Sequence, residues 1–222
     1  MSLQHIKIEF QYAQNNEILP VLLYQMQNLL HLELTVHEFV FDHELLDKPS
    51  KVPITLTMRA FHLDPEGPHY LPNNFIRLAT IANLKELIIW GFHLNADAYQ
   101  LMRQISGLKA ITLKDCKFQT FENVRNIISI EFKDMELDAT PFIIMANPQL
   151  VRIKFSALKK NIFNFYTYLI KYQHIKHFEF FDMNTDEATE FFDIVLQHIR
   201  RVGTHLESLT LDRKMMNICY VD

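Results

Sequence analysis

Leu108-Lys109-Ala110-Ile111-Thr112-Leu113-Lys114-Asp115-Cys116-Lys117-Phe118 contains a short pattern, apolar-x-x-apolar-x-apolar, at Leu108, Ile111 and Leu113. The same pattern occurs at Leu3/Ile6/Ile8, Leu29/Leu32/Leu34, Pro53/Leu56/Met58 and Leu84/Leu87/Ile89. Beyond residue 118 it returns at Ile127/Ile130/Phe132, Leu150/Ile153/Phe155, Ile175/Phe178/Phe180 and Leu206/Leu209/Leu211. The starts are separated by 26, 24, 31, 24, 19, 23, 25 and 31 residues. A period in this range, with one short apolar core per period, is the mark of a repeat solenoid built from one strand and one return per unit. The pattern runs from residue 3 to residue 211 without a linker, so residues 1–222 are expected to form a single repeat domain.

Side chains of a strand alternate between two faces. The fourth and sixth positions of each copy, such as Leu87 and Ile89, therefore face inward, and the third, fifth and seventh face outward. Parallel neighbours need a crossover of a dozen or more residues, often a helix. Residues 95–106 fit one: Asn95 caps it, Ala98, Leu101, Met102 and Ile105 recur at helical spacing, and Gly107 follows. Asn184 and Glu187 form a capping box before a stripe of Phe191, Phe192, Val195, Leu196 and Ile199, with Gly203 as the stop. Thr140-Pro141 places Pro in a first helical turn, and 160–172 is an aromatic helix. The 19-residue unit from Leu108 has no room for a helix and is expected to return by an extended turn near Thr120-Phe121. Residues 59–74 hold the Pro65-Glu66-Gly67-Pro68 turn and read as a loop at one edge, with Pro72-Asn73-Asn74 capping a helix at 75–82.

With 222 residues, 49% of them hydrophobic, the chain can bury a sizeable core. Its net charge of −4 supplies no general attraction to nucleic acid or anionic membrane, and no run of 18 apolar residues is present. Two cysteines, Cys116 and Cys219, stand far apart, and there is no N-x-Ser/Thr glycosylation acceptor. Cytosol or nucleus is the expected compartment.

The sequence Leu108-x-x-Ile111-x-Leu113-x-x-Cys116-x-Phe118 resembles the leucine-rich repeat of the ribonuclease-inhibitor-like type. Units averaging about 25 residues, one with Cys at the ninth position, are similar to the repeat regions of F-box proteins. The resemblance implies an α/β leucine-rich-repeat solenoid of about nine repeats, with a curved parallel sheet on the concave side and helices and irregular turns on the convex side. It also implies a protein or peptide partner on the concave face and substrate recognition within an F-box-type ubiquitin ligase. No F-box occurs in the chain; one would precede residue 1 and contact a Skp-type adaptor, which makes the chain a piece of a longer protein. The alternative is a scaffold or regulatory subunit of another intracellular complex, nuclear or GTPase-related. Phe92, Met135, Leu158 and Met183 occupy the ninth position in other copies, where large apolar side chains are expected in place of the usual Asn or Cys ladder.

The outward rows give the candidate site. The third positions are His5, His31, Thr55, Glu86, Ala110, Ser129, Arg152, His177 and Ser208. The fifth are Lys7, Glu33, Thr57, Ile88, Thr112, Glu131, Lys154, Glu179 and Thr210. The seventh are Glu9, Thr35, Arg59, Trp90, Lys114, Lys133, Ser156, Phe181 and Asp212. Ile88 and Trp90 share the face, with Arg59 one strand away, and exposed Trp and Arg are favoured interface anchors. An Arg59–Trp90 stack would add a cation–π term. Two readings of Trp90 stand side by side, an open anchor and a ring covered by neighbouring loop residues. Phe181 is a second outward aromatic, and Lys114, Lys133, Arg152 and Lys154 form a basic patch between the two, either a solvated face or a seat for acidic groups. Glu131, Lys154 and Glu179 are expected to alternate as a charge ladder.

Catalytic motifs are missing: no glycine-rich phosphate loop, no G-x-S-x-G, no H-E-x-x-H and no C-x-x-C. His174 and His177 read as unrelated surface histidines, and Cys116 as inward and inert. The chain is expected to be no enzyme and to need no metal or cofactor.

Overall fold

A computed structural model describes residues 4–10, 25, 29–36, 52–59, 70, 83–118, 124, 127–134, 147–157, 174–182 and 207–211. Among the described residues, nine strands form one all-parallel sheet, with two short strands and a helix lying between them in chain order. They are β1 (His5–Phe10), β2 (His31–Val36), β3 (Pro53–Arg59), β4 (Asn83–Trp90), β6 (Ala110–Lys114), β8 (Ser129–Lys133), β9 (Arg152–Ser156), β10 (His177–Phe181) and β11 (Ser208–Leu211). Their spatial order follows chain order. A second, two-stranded parallel sheet joins β5 (His93–Leu94) to β7 (Lys117–Phe118), and Tyr70 extends it by an isolated bridge to His93. This open parallel arrangement is consistent with an α/β solenoid. The expected helices at 75–82, 140–141, 160–172 and 184–203, the turn at 65–68 and the return at 120–121 lie outside the described residues.

Parity governs the burial. Leu87 and Ile89 are fully buried, as are their row neighbours Leu56, Leu113, Ile130, Phe132, Ile153 and Phe155. The first position of the pattern also points inward, at Leu84, Leu108, Ile127, Leu150 and Ile175. Between strands, Asn147 is buried, and its Oδ1 accepts from the Val124 backbone N–H at 3.2 Å, tying two successive returns together.

The register follows the repeat pattern from β3 to β11, with one correction between β2 and β3. Leu34, not Leu32, stands beside Leu56, and Leu32 stands beside Ile54. The slip is two residues, so every side chain keeps its face. Leu32, Leu34, Ile54 and Leu56 are all at most 1% exposed, so the slip loses no burial. A bulge at Lys85 then carries the register from Ile54↔Leu84 to Thr55↔Glu86.

Helix α1 (Ala96–Arg103) begins as expected, with Asn95 Oδ1 accepting from the Ala98 N–H at 3.0 Å. It ends three residues before Ser106. The Gln104 and Ile105 N–H groups bond back three residues, to Leu101 and Met102, tightening the last turn so that Leu108 can start the next strand.

Each described strand from β4 to β10 in the large sheet leaves it through a left-handed residue: Gly91 (φ 80), Asp115 (φ 49), Asp134 (φ 54), Ala157 (φ 51) and Asp182 (φ 52). The N–H of the first four donates to the carbonyl of the next strand's last residue at 2.9–3.0 Å, adding a rung past the sheet. Gly has no Cβ to clash there, and Asp tolerates this region through its short polar side chain. Ala157 has neither property. Ala157→Gly is expected to raise stability by about 0.5–1 kcal/mol, after subtracting the greater freedom of Gly in the unfolded chain. The check is a higher urea midpoint at unchanged slope.

Candidate functional site

The outer face is built row by row from the register. Thr57, Ile88, Thr112, Glu131, Lys154 and Glu179 stand side by side on successive strands. One step further along the strands lie Arg59, Trp90, Lys114, Lys133, Ser156 and Phe181. Ile88 and Trp90 are half-buried, two residues apart on β4. The β2–β3 slip moves the first two strands along these rows: Glu33 lies beside Thr55, and Thr35 beside Thr57.

Each outward aromatic carries a lysine. Lys114 Nζ sits 3.6 Å from the centre of the Trp90 ring, and Lys154 Nζ 5.1 Å from that of Phe181. Arg59 is beside Trp90 in register, with its side chain outside the description. Lys114 reaches the indole from the strand on the other side, β6. Such contacts contribute about 0.5–1 kcal/mol at exposed sites.

The basic residues are interleaved with carboxylates. Lys114 lies 3.7 Å from Asp134, Arg152 is 3.6 Å from Glu179, and Lys154 is 3.1 Å from Glu131. Ser156 Oγ donates to the same Glu131 carboxylate at 3.1 Å. The expected ladder therefore forms only in part: Glu131 and Lys154 pair, while Glu179 turns to Arg152, two positions away on the strand it shares with Lys154. Pairs of this exposure contribute about 0–1 kcal/mol each. Among the described residues, Lys133 makes no ion pair. Three of the four basic residues of the patch are thus matched with carboxylates, at Lys114, Arg152 and Lys154.

Two polar chains flank this centre. Towards the N-terminal end, the Thr55 hydroxyl donates to Glu86 at 3.4 Å and lies 3.2 Å from His31 Nε2, and the His31 ring lies 6.1 Å from that of His5. At the other end His177 Nδ1 is 2.8 Å from Ser208 Oγ, and its Nε2 is 3.6 Å from Glu207. A hydrogen bond from Lys176 holds the Glu207 carboxyl below its usual range. Partial burial lowers the affinity of His174 for a proton. The described residues contain no cluster of three or more metal-ligating side chains. None of their helices is long and apolar enough to cross a membrane.

Cys116 faces inward, 7% exposed. Its thiol lies 3.4 Å from the Ile89 carbonyl of the previous unit and 3.3 Å from the Lys114 carbonyl. Burial pushes its pKa from 9.0 up to about 12, outweighing backbone hydrogen bonds at Phe92, Gly91 and Lys114 that favour the thiolate. Phe92, at the equivalent position one unit earlier, is also buried.

The chain matches no known protein-family model, and no curated protein matches it.

Proposed function

We propose that this chain is a leucine-rich-repeat interaction module whose outer sheet face holds a protein partner, in the manner of the substrate-recognition repeats of an F-box-type ubiquitin ligase. The observation that carries this reading is the pairing of Ile88 and Trp90 on a central strand. A half-buried indole beside a β-branched apolar side chain, on a rigid sheet and ringed by alternating charges, has the make-up of a binding hot spot with a polar rim. The Cys116 thiol beside the Ile89 carbonyl supports the leucine-rich-repeat part, because it stands where the repeat consensus has its hydrogen-bonded Asn or Cys. The charge pattern supports a partner of mixed sign over a nucleic acid.

The test is immunoprecipitation of the natural full-length protein and of its Ile88→Ala/Trp90→Ala variant. A Skp-type adaptor and a cullin should be recovered with both. The bound partner should be lost from the variant, with affinity reduced at least about thirtyfold, as for removal of a hot-spot residue. If neither adaptor nor cullin appears while a partner still depends on Trp90, the module serves a complex outside ubiquitin chemistry. Full retention of partners by a folded variant places the interface elsewhere.

A further inference from the structure

Lys133 is the basic residue of the patch that the carboxylates leave over. The acidic groups nearest to it in the chain are engaged elsewhere. Glu131 takes Lys154 and the Ser156 hydroxyl, each at 3.1 Å, and Asp134 lies 3.7 Å from Lys114. Lys133 itself is half-buried at the end of β8 and, among the described residues, makes no ion pair. Trp90, Lys114 and Lys133 share one register level on β4, β6 and β8. Neighbouring strands lie about 4.8 Å apart, so the backbone positions of Trp90 and Lys133 stand about 9.6 Å apart. Lys114 lies between them with its ammonium turned onto the indole.

We propose that the outer face takes an extended peptide segment of its partner in which an apolar residue and an aspartate or glutamate stand three positions apart. The inference rests on the reading of Ile88 and Trp90 as the anchor of this face. The apolar side chain packs on Ile88 beside the indole, and the carboxylate meets the Lys133 ammonium. The span between the two points selects the peptide's backbone. In a polyproline-II conformation every third side chain returns to the same side, about 9.3 Å further along, which matches the two-strand span. A β-strand falls short, because its same-side neighbours are about 6.7 Å apart. The two intervening side chains of a polyproline-II segment point off the face, which leaves room for Lys114 and its contacts. A single carboxylate is favoured over a run of acidic residues or a phosphate backbone. Glu131 and Asp134, close to Lys133 in the chain, repel any further negative charge.

The experiment selects binders of the folded 222-residue chain from a phage-displayed library of random peptides. Selected sequences are then made as dye-labelled synthetic peptides, and their affinities are measured by fluorescence anisotropy. Enriched peptides should carry the apolar and acidic residues at the stated spacing. Replacing the acid by lysine in the peptide, or Lys133→Glu in the protein, should each raise Kd at least about tenfold, since like charges set against each other in an interface are costly. Combining the two changes restores an opposite-charge pair and should recover the affinity. Trp90 is the chain's single tryptophan, so an unlabelled peptide without tryptophan should also shift the protein's emission. No enrichment, enrichment of another spacing, or affinities indifferent to Lys133→Glu would each overturn the inference. The Ile88→Ala/Trp90→Ala variant, shown to be folded by far-UV circular dichroism, separates this failure from failure of the underlying reading. Peptides that ignore Lys133 but are lost from the double variant refute the acidic contact alone. Peptides that bind the double variant unchanged refute the anchor as well.

Discussion

Phe155→Ala is expected to destabilise the fold by about 3–5 kcal/mol, the range for deleting a fully buried Phe side chain. Phe155 is the middle of a three-ring column running across the sheet. Phe132 stacks on one side at 5.6 Å between centroids and 12° between planes, and Phe180 on the other at 5.3 Å and 20°. All three are at most 1% exposed. The spacing follows from the architecture. Neighbouring strands lie about 4.8 Å apart, so aromatic residues at one register position on successive strands must stack. Removing the central ring leaves a void with a ring on either side, and the two flanking strands cannot close over it without breaking their own ladders. Offset stacking is itself favourable beyond area burial, which puts the expected loss in the upper part of the range. Urea unfolding measures it. Lys154→Ala, one residue away on the opposite face, should cost no more than about 1 kcal/mol, because its partner is a partly solvated carboxylate. Equal losses at 154 and 155 would mean that the two faces are not distinct.

The second large effect is a loss of stability in alkali. The folded state holds the Cys116 proton until about pH 12, whereas the unfolded chain releases it near 9.0. A group with a raised folded pKa contributes fully below its unfolded value, and its contribution falls as pH rises towards the folded one. Stability should therefore be flat with respect to this thiol below about pH 9 and then decline by up to about 1.4 kcal/mol per pH unit, approaching about 4 kcal/mol near pH 12. Tyr99 reinforces the sign: buried on α1, with the Cys116 charge as a further penalty, its phenol is also displaced upward from 10.0. Urea unfolding between pH 8 and pH 11 tests this, and Cys116→Ala should flatten the early part of the decline. In a Cys219→Ser background the remaining thiol should also resist alkylation at pH 8, with a thiolate fraction roughly a thousandfold below that of the unfolded chain.

What the sequence made legible follows from parity. Once Leu108, Ile111 and Leu113 fix the inner side of one strand, alternation assigns every outward residue, and the rows holding Trp90, Lys114 and Phe181 follow from residue order alone. A slip of two residues is invisible to that logic. Leu32, Leu34, Ile54, Leu56 and Met58 form an alternating apolar series that matches itself at either offset, so the pattern by itself puts β2 and β3 in the wrong register. Long side chains defeat row reasoning in another way. Arg152 reaches Glu179 across two levels, and Lys114 swings from its own row onto the Trp90 ring. The left-handed exits carry a signal that apolar periodicity overlooks: Gly91, Asp115, Asp134 and Asp182 recur two residues past each sixth position. Asn147 leaves less trace, because it precedes its strand pattern and its partner is a backbone N–H.

The joints between neighbouring strands have a consequence of their own. Where a strand starts, one carbonyl takes two N–H groups from the following unit: Gln4 serves Leu30 and His31, Lys109 serves Ile128 and Ser129, Ile128 serves Val151 and Arg152, Val151 serves Lys176 and His177, and Lys176 serves Glu207 and Ser208. Where a strand ends, the left-handed N–H reaches forward in the same direction. Both fastenings are made of main chain alone and span one boundary at a time. They make no demand on side-chain identity beyond tolerance of one left-handed residue. Whole units can thus be duplicated or lost in evolution without re-tailoring the seam, while fractional insertions are pushed out into the returns, where unit lengths from 19 to 31 residues show that they have collected.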